Sequence, residues 1–285
     1  MTASDHAKPI GPWAPRLRQG PVRKITAADL GAWVIYEDER LFVVNKPGDF
    51  VCHPSKDGPW SSLVGAAREY LGLATVHLIF RLDRETSGVV VFAKEPHVGR
   101  RLQMAAQDRK YGKTYYAILH GELASESRVD QPLGPDPQSP VAAKSAVVSL
   151  GQGQAAQTRF SPIARANGFT VARVVTETGR KHQIRAHAQW LGYPLVGDKI
   201  YGSDPQLFLD FVEHGWTARL AERLLLPRQA LHCAEIDLRL AGETHVFKAP
   251  WPEDLRTFCR QRLGIDVEAV CTRQAITPDP SIAAW

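Results

Sequence analysis

Phe80-Arg81-Leu82-Asp83-Arg84-Glu85-Thr86-Ser87-Gly88 runs directly into Val89-Val90-Val91-Phe92-Ala93-Lys94. An acid set between two arginines precedes a Ser-Gly turn, and a β-branched apolar run then leads into a core. In extended chain Arg81 and Asp83, two residues apart, project from one face. A guanidinium beside a carboxylate favours the ionised acid. Taken alone the pair has two readings: a structural ion pair at a strand edge, the commoner use of such pairs, or a carboxylate kept charged for chemistry.

Working outward, period-two alternation between turn residues predicts strands over 33–36, 41–45, 113–119, 143–150, 156–162, 169–177, 230–240 and 244–248. Apolar stripes and caps predict helices over 61–71, 96–108, 180–191 and 252–263, with one more inside an irregular insertion at 202–228. The Pro- and Gly-rich stretch 131–140 reads as a loop. Strands outnumber helices and many connections are of hairpin length. The expected fold class is therefore α+β, with a mixed, mainly antiparallel central sheet flanked by helices and loops. Residues 1–32 are expected to be a partly flexible arm, 33–265 one catalytic domain and 266–285 a tail.

Composition narrows the function classes. The 285 residues carry a net charge of +5, compatible with a nucleic-acid partner but not diagnostic of one. The four cysteines form no CxxC pair, which argues against a zinc site or a disulfide framework and for a reduced, cytoplasmic setting. No apolar run reaches spanning length, so no membrane partner is expected. The chain lacks a Gly-rich phosphate loop, and no feature suggests an interface between copies, so a monomer is expected.

A second polar cluster, Gly179-Arg180-Lys181-His182-Gln183-Ile184-Arg185-Ala186-His187, lies on the expected helix, where His182, Arg185 and Ala186 share a face. His182 and His187 are five apart, the wrong spacing for two metal ligands on one face. The cluster reads better as donors aimed at an anion, either a phosphate or the Asp83 carboxylate.

These motifs resemble those of a known family. Phe80–Gly88 looks like the H-R-L-D-x-x-T-S-G motif of the RluA-type pseudouridine synthases, and Gly179–His187 resembles their T-G-R-x-H-Q-[IL]-R-x-H motif. Lys46-Pro47-Gly48 with 51–54, Lys113-Thr114-Tyr115, the segment 191–202, Leu231-His232 and Ala249-Pro250 continue the match in the family's order over 34–263. Phe80 stands where the motif has histidine, so no imidazole can be required there; a packing role fits the phenyl ring. The stretch before Trp33 is shorter than the separate S4 RNA-binding module of many relatives, so the catalytic domain itself is expected to grip RNA.

The resemblance implies isomerisation of uridine to pseudouridine in structured RNA, ribosomal or transfer, with no cofactor and no metal. It assigns Asp83 as the carboxylate acting on a flipped-out uridine. Arg185 becomes its ionic partner, and Tyr115 the ring that stacks on uracil and assists at C5. Ile184 is implied as an apolar wall, and Arg81 either fills the space the uridine vacates or makes a structural ion pair. Arg84, Lys113, Arg180 and His182 are implied as substrate contacts, with Arg100, Arg101, Arg109, Lys110 and Lys181 as further basic contacts to RNA. Two rivals remain: a non-catalytic RNA-binding or ribosome-assembly factor on the same fold, and an Asp-nucleophile glycoside hydrolase. The hydrolase would need a second carboxylate, for which Glu85 is the nearest candidate.

Overall fold

In the computed structural model, residues 23–53, 58–202 and 204–275 are described. Ten strands build one sheet: β1 (Val34–Glu37), β2 (Leu41–Lys46), β3 (His77–Leu78), β4 (Ser87–Ala93), β5 (Gly112–His120), β6 (Ser127–Asp130), β9 (Gln157–Ala166), β10 (Phe169–Thr176), β11 (Leu231–Asp237) and β12 (Val246–Lys248). β7 (Leu133–Pro135) and β8 (Ser145–Val147) pair separately. The main path runs β1-β2-β4-β11-β5-β10-β9-β6, with β3 added to β4 and β12 to β11. The class is α+β with a mixed, mainly antiparallel sheet.

The run from Ser87 to Ala93 decides this arrangement. Every residue of β4 is buried, as a continuous apolar strand requires when both faces are covered. β2 lies antiparallel on one side, with Val43 opposite Val91, and β11 lies parallel on the other through His232↔Ser87 and Cys233↔Gly88. Among the described residues this is the sheet's single parallel join. Gly88 has φ +117°, and a Cβ there would sit 2.1 Å from the Cys233 carbonyl oxygen. Only glycine allows the two backbones to approach so closely. At the same join the His232 Nε2 faces the Ala249 carbonyl at 3.3 Å and Nδ1 lies 3.0 Å from the Ser87 hydroxyl. The ring therefore donates through Nε2 and accepts from Ser87 through Nδ1. Gly88→Ala is expected to cost about 3 kcal/mol or more, read as a lowered denaturation midpoint in urea.

The helices follow their caps, with instructive shifts. α2 (Leu63–Leu71) starts at Ser62, whose hydroxyl accepts from the Gly65 amide, and ends at left-handed Gly72. α3 (Pro96–Gln107) has proline in its first turn, and both helices lie where expected. Part of the region assigned to an arm is instead helical. α1 (Ala27–Trp33) opens on a capping box between Thr26 and Asp29, and Ile25 and Leu30 are buried. Its sparse apolar pattern hid it. Residues 180–182 do not join α4 (Gln183–Trp190), because His182 takes left-handed backbone at φ 57°. The insertion holds two helices, α5 (Gln206–His214) and α6 (Ala218–Leu224), separated by Gly215 and the Thr217 cap. The closing helix α7 (Glu253–Phe258) continues as a π-turn over Cys259–Leu263. α8 (Val267–Ala275), in the region read as a tail, is started by the Asp266 carboxylate accepting from Glu268 and Ala269. The expected loop 131–140 contains the short strand β7, and the strand expected over 143–150 shortens to β8. Arm residues 1–22, Pro54 and residues 276–285 lie outside the described residues.

Candidate active site

Asp83 sits on the loop between β3 and β4, short of the strand itself. Such a loop leaves backbone carbonyls without ladder partners, and cations from several elements supply them. Fully buried Lys46 donates to the carbonyls of Pro47, Phe50 and Arg84 at 2.9, 3.0 and 2.9 Å. Burial pushes its ammonium pKa down to about 8. Lys199 holds Glu85 Oε1 at 2.6 Å, and Arg228 donates to the Glu85 carbonyl at 3.2 Å while pairing with Asp254. Gln229 donates from its backbone to Glu85 Oε2 and from its side chain to Thr86 Oγ1 at 2.8 Å. Glu85 is thus a tether of the loop, and the hydrolase's candidate second acid is already engaged.

Three donors converge on one oxygen of Asp83. Its Oδ2 lies 2.9 Å from Arg185 Nη1, 3.4 Å from Gln229 Nε2 and 3.9 Å from His182 Nε2. The Asp83 side chain keeps 28 % of its surface exposed, whereas that of Arg185 keeps 5 %. Burial opposes the charged acid, but the Arg185 guanidinium with the hydrogen bonds from Arg185 and Gln229 outweighs it and holds the carboxyl below its ordinary range. The partner anticipated from sequence spacing, Arg81, is exposed and makes no ion pair or hydrogen bond among the described residues. The i, i+2 argument failed because residues 81–83 lie in an irregular loop rather than a strand.

Arg185 is itself fixed from behind. Its Nε and Nη2 make a fork with Asp198 at 2.6 and 2.8 Å, and Asp198 Oδ1 also accepts from the amides of Ile200 and Tyr201. The Tyr201 ring lies 4.8 Å from the guanidinium carbon. Two of its nitrogens being taken, Nη1 is left for Asp83. The Tyr201 hydroxyl accepts from the Ser145 amide at 2.8 Å and meets His182 Nδ1 at 3.0 Å. The other ring nitrogen, Nε2, is the one facing Asp83.

Tyr115, on β5, is opposite Cys233 in the register and 8 % exposed. Burial, then the neighbouring Cys233, Tyr111 and Asp83, raise its phenol well above the usual value, so it rests as a neutral hydroxyl. Ile184 is buried in the same apolar cluster as Tyr115. Asp83, Arg185 and His182 therefore meet directly, Tyr115 lies close enough for the Asp83 charge to act on its phenol, and Ile184 precedes Arg185 on α4. The other candidates spread around this group. Arg84 donates to the Asp49 carbonyl, while Arg180 donates to the Ala155 carbonyl and lines a groove with Lys144 and Lys181. Lys113 lies against the rings of Phe80 and Tyr111. Arg101 is engaged by Glu243 and the Ala241 carbonyl, a structural pairing rather than a free RNA contact. Arg100, Arg109 and Lys110 are exposed, Lys110 3.4 Å from Asp108. His187 is occupied by Thr158 and the Gln131 carbonyl, and no cluster of three metal-ligating side chains occurs among the described residues.

Sequence reasoning missed Gln229, and it took in Asp198 only as part of the segment 191–202, without a task. Gln229 stands two residues before Leu231-His232, and nothing in its type announces a role.

The pKa directions set a pH dependence. Asp83 and Asp198 are depressed, so their stabilisation is present above the unfolded carboxyl pKa and is lost as pH falls through the lowered values. His182 and His232, which burial holds down to about 4 against an ordinary 6.5, remain neutral when folded and add a loss that begins below pH 6.5. The melting temperature is expected to decline as pH falls from about 6.5 to 4, through the histidines, and further below pH 4, through the aspartates; a flat profile between pH 6.5 and 4 would contradict neutral histidines in the folded chain.

Residues 40–190 match the family described as RNA pseudouridylate synthase. The chain belongs to that family, within its RluA type, whose members are isomerases converting uridine to pseudouridine in RNA. It is 34 % identical over 236 residues to the ribosomal large subunit pseudouridine synthase D of Vibrio parahaemolyticus, covering 80 % of this chain and 70 % of that one. It is also 34 % identical to an uncharacterized RNA pseudouridine synthase of Bacillus subtilis, with 78 % and 73 % covered. The fold matches that of human RNA pseudouridylate synthase domain containing 4, with TM-score 0.66 and 24 % identity over 84 % of this chain and 95 % of that one. Among the described residues no helix is long and apolar enough to cross a membrane.

Proposed function

We propose that this chain isomerises a defined uridine of large-subunit ribosomal RNA, with Asp83 as the catalytic carboxylate. The carrying observation is the arrangement around Asp83: a partly exposed carboxylate held by Arg185, which Asp198 fixes in turn, with the Tyr115 phenol close enough to feel its charge. In the reaction the N1–C1′ bond breaks, the uracil turns, and C5–C1′ forms; C5 loses a proton and N1 gains one, without redox change. Asp83 supplies the charged group that acts on the nucleoside. Arg185 keeps it ionised and aimed, and Tyr115 with Ile184 forms the apolar seat of the extruded base. The neutral phenol of Tyr115 fits stacking and hydrogen-bond donation; service as a base at C5 requires that bound substrate first lower its pKa. Arg81, exposed and without an ion pair or hydrogen bond among the described residues, is proposed to enter the stack where the uridine leaves. Arg84, Arg180 and His182 complete the RNA contacts. The choice of ribosomal over transfer RNA follows the naming of relatives such as that of Vibrio parahaemolyticus; a monomeric, cytoplasmic enzyme belongs to the same proposal.

The test is a map of pseudouridines across cellular RNAs with the gene intact and deleted. Loss of one or a few ribosomal positions, restored by the wild-type gene, is the expected result. Losses confined to transfer RNA would move the substrate. No lost position would return the chain to the assembly-factor reading. Arg81→Ala is expected to lower activity about 10- to 100-fold with little change in melting temperature, because its guanidinium is exposed and has no ion-pair or hydrogen-bond partner among the described residues to lose.

A further inference from the structure

Beside the catalytic cleft, Tyr111, Lys113 and Tyr115 occupy alternate positions leading into and along β5. The Lys113 Nζ lies 5.2 Å from the Tyr111 ring centre and 5.3 Å from that of Phe80, and the two rings are 5.8 Å apart. Phe80 comes from the Asp83 loop, so this cluster ties that loop to the strand carrying Tyr115. Lys113 makes no ion pair or hydrogen bond among the described residues. Burial lowers its pKa, as expected of a cation that has ring faces but no counter-ion. Gly179, at the turn before α4, faces it from the other side, and a Cβ there would stand 3.2 Å from Nζ. A side chain at position 179 would therefore crowd the ammonium, and glycine leaves it room. Phe80 and Tyr111 are both partly exposed.

A cation without a counter-ion among the described residues, next to a partly exposed aromatic pair and two residues along the strand from Tyr115, has the composition of a single-stranded nucleotide site. We propose that Phe80, Tyr111 and Lys113 form a subsite for the nucleotide flanking the target uridine, in which Lys113 Nζ binds its phosphodiester and the Phe80 ring stacks on its base. This inference rests on the RNA isomerisation proposed above. It gives a purpose to Phe80, which stands where the resembled motif has histidine. A phenyl ring offers a sequence-tolerant stacking face and shields the lysine without competing for its hydrogen bonds. The subsite would select for an unpaired flanking base, since a base held in a duplex cannot reach the ring.

The experiment uses the full chain carrying Asp83→Asn and an in vitro transcript of large-subunit ribosomal RNA, with binding measured across a potassium chloride series. Phe80→Ala is expected to weaken binding about tenfold with the salt slope unchanged, and Phe80→His, which keeps a ring, by less than about threefold. Lys113→Gln is expected to weaken binding about five- to tenfold and to reduce the slope of log affinity against log salt by about 0.9, while Lys113→Arg keeps the slope. Parent affinity in Phe80→Ala, or the parent slope in Lys113→Gln, would overturn the subsite. Thermal melts of each variant guard against a folding defect, and the Phe80→His and Lys113→Arg forms keep the test decisive if the harsher changes unfold. The same changes in the Asp83-intact chain should raise KM with kcat little altered. A parent chain that makes no pseudouridine would remove the function itself. An active parent whose variants bind and turn over as it does would remove the subsite alone.

Discussion

Asp83→Asn is expected to abolish pseudouridine formation, by at least about a thousandfold in single-turnover rate, while the chain remains folded and bound to RNA. The substitution preserves shape. An amide oxygen at this position can still accept from Arg185 Nη1, which now lies 2.9 Å from Oδ2. The tethers of the loop, from Lys46 to Arg84 and from Lys199 to Glu85, do not involve the carboxylate. Arg185 keeps its fork with Asp198 and so is not stranded as a buried charge. The change in stability should stay near 1 kcal/mol, roughly that of one hydrogen bond. What disappears is the negative charge, and with it the group able to act covalently. Parental turnover of a ribosomal transcript by the Asp83→Asn chain would remove Asp83 from the mechanism, whatever its position in the cleft.

Arg185→Met should be the more damaging change to the fold. Asp198 has no exposed side-chain surface. Without Arg185 it would be a buried carboxylate answered only by two backbone amides, those of Ile200 and Tyr201. Breaking a buried pair from one side costs about 3–5 kcal/mol. Asp83 loses the cation that holds it ionised, so activity falls as well. Adding Asp198→Asn to Arg185→Met removes the stranded charge and should recover a large part of the stability but none of the activity. Arg185→Lys should fall between, because an ammonium cannot serve Asp198 through two nitrogens and Asp83 through a third. Urea denaturation combined with single-turnover assays separates the two effects. Equal stability in Arg185→Met and the double variant would mean that Asp198 does not depend on the guanidinium.

The ease of reading the chain varied with the range of the interaction. β4 was plain from Val89–Phe92 because continuous burial leaves a continuous apolar run. α2 was plain because Ser62 and Gly72 mark its ends locally. The start of α4 was misplaced because left-handed backbone at His182 is imposed by contacts with Tyr201, 19 residues away. The ion pair was misassigned to Arg81 because proximity in sequence stood in for proximity in space, whereas Asp83 and Arg185 are separated by 102 residues. The family resemblance supplied that pairing; spacing alone could not. Gln229 had no such help, since a glutamine before a strand looks the same whether it faces a carboxylate or water.

The parallel join between β4 and β11 has a further consequence, for the order in which the molecule can be made. β4 and β5 follow one another in the chain, yet β11 lies between them in the sheet. A growing polypeptide emerging from the ribosome must hold that slot open until residue 237 has been synthesised. Until then two half-sheets face each other with unpaired edges, the state most exposed to wrong partners. Gln229 arrives with that last insertion, so the donor set at Asp83 is completed by the same event that closes the sheet. Completion of the surroundings of Asp83 is thereby tied to the synthesis of β11, and a nascent chain that already displays Asp83, Tyr115 and Arg185 still lacks the strand that lies between β4 and β5.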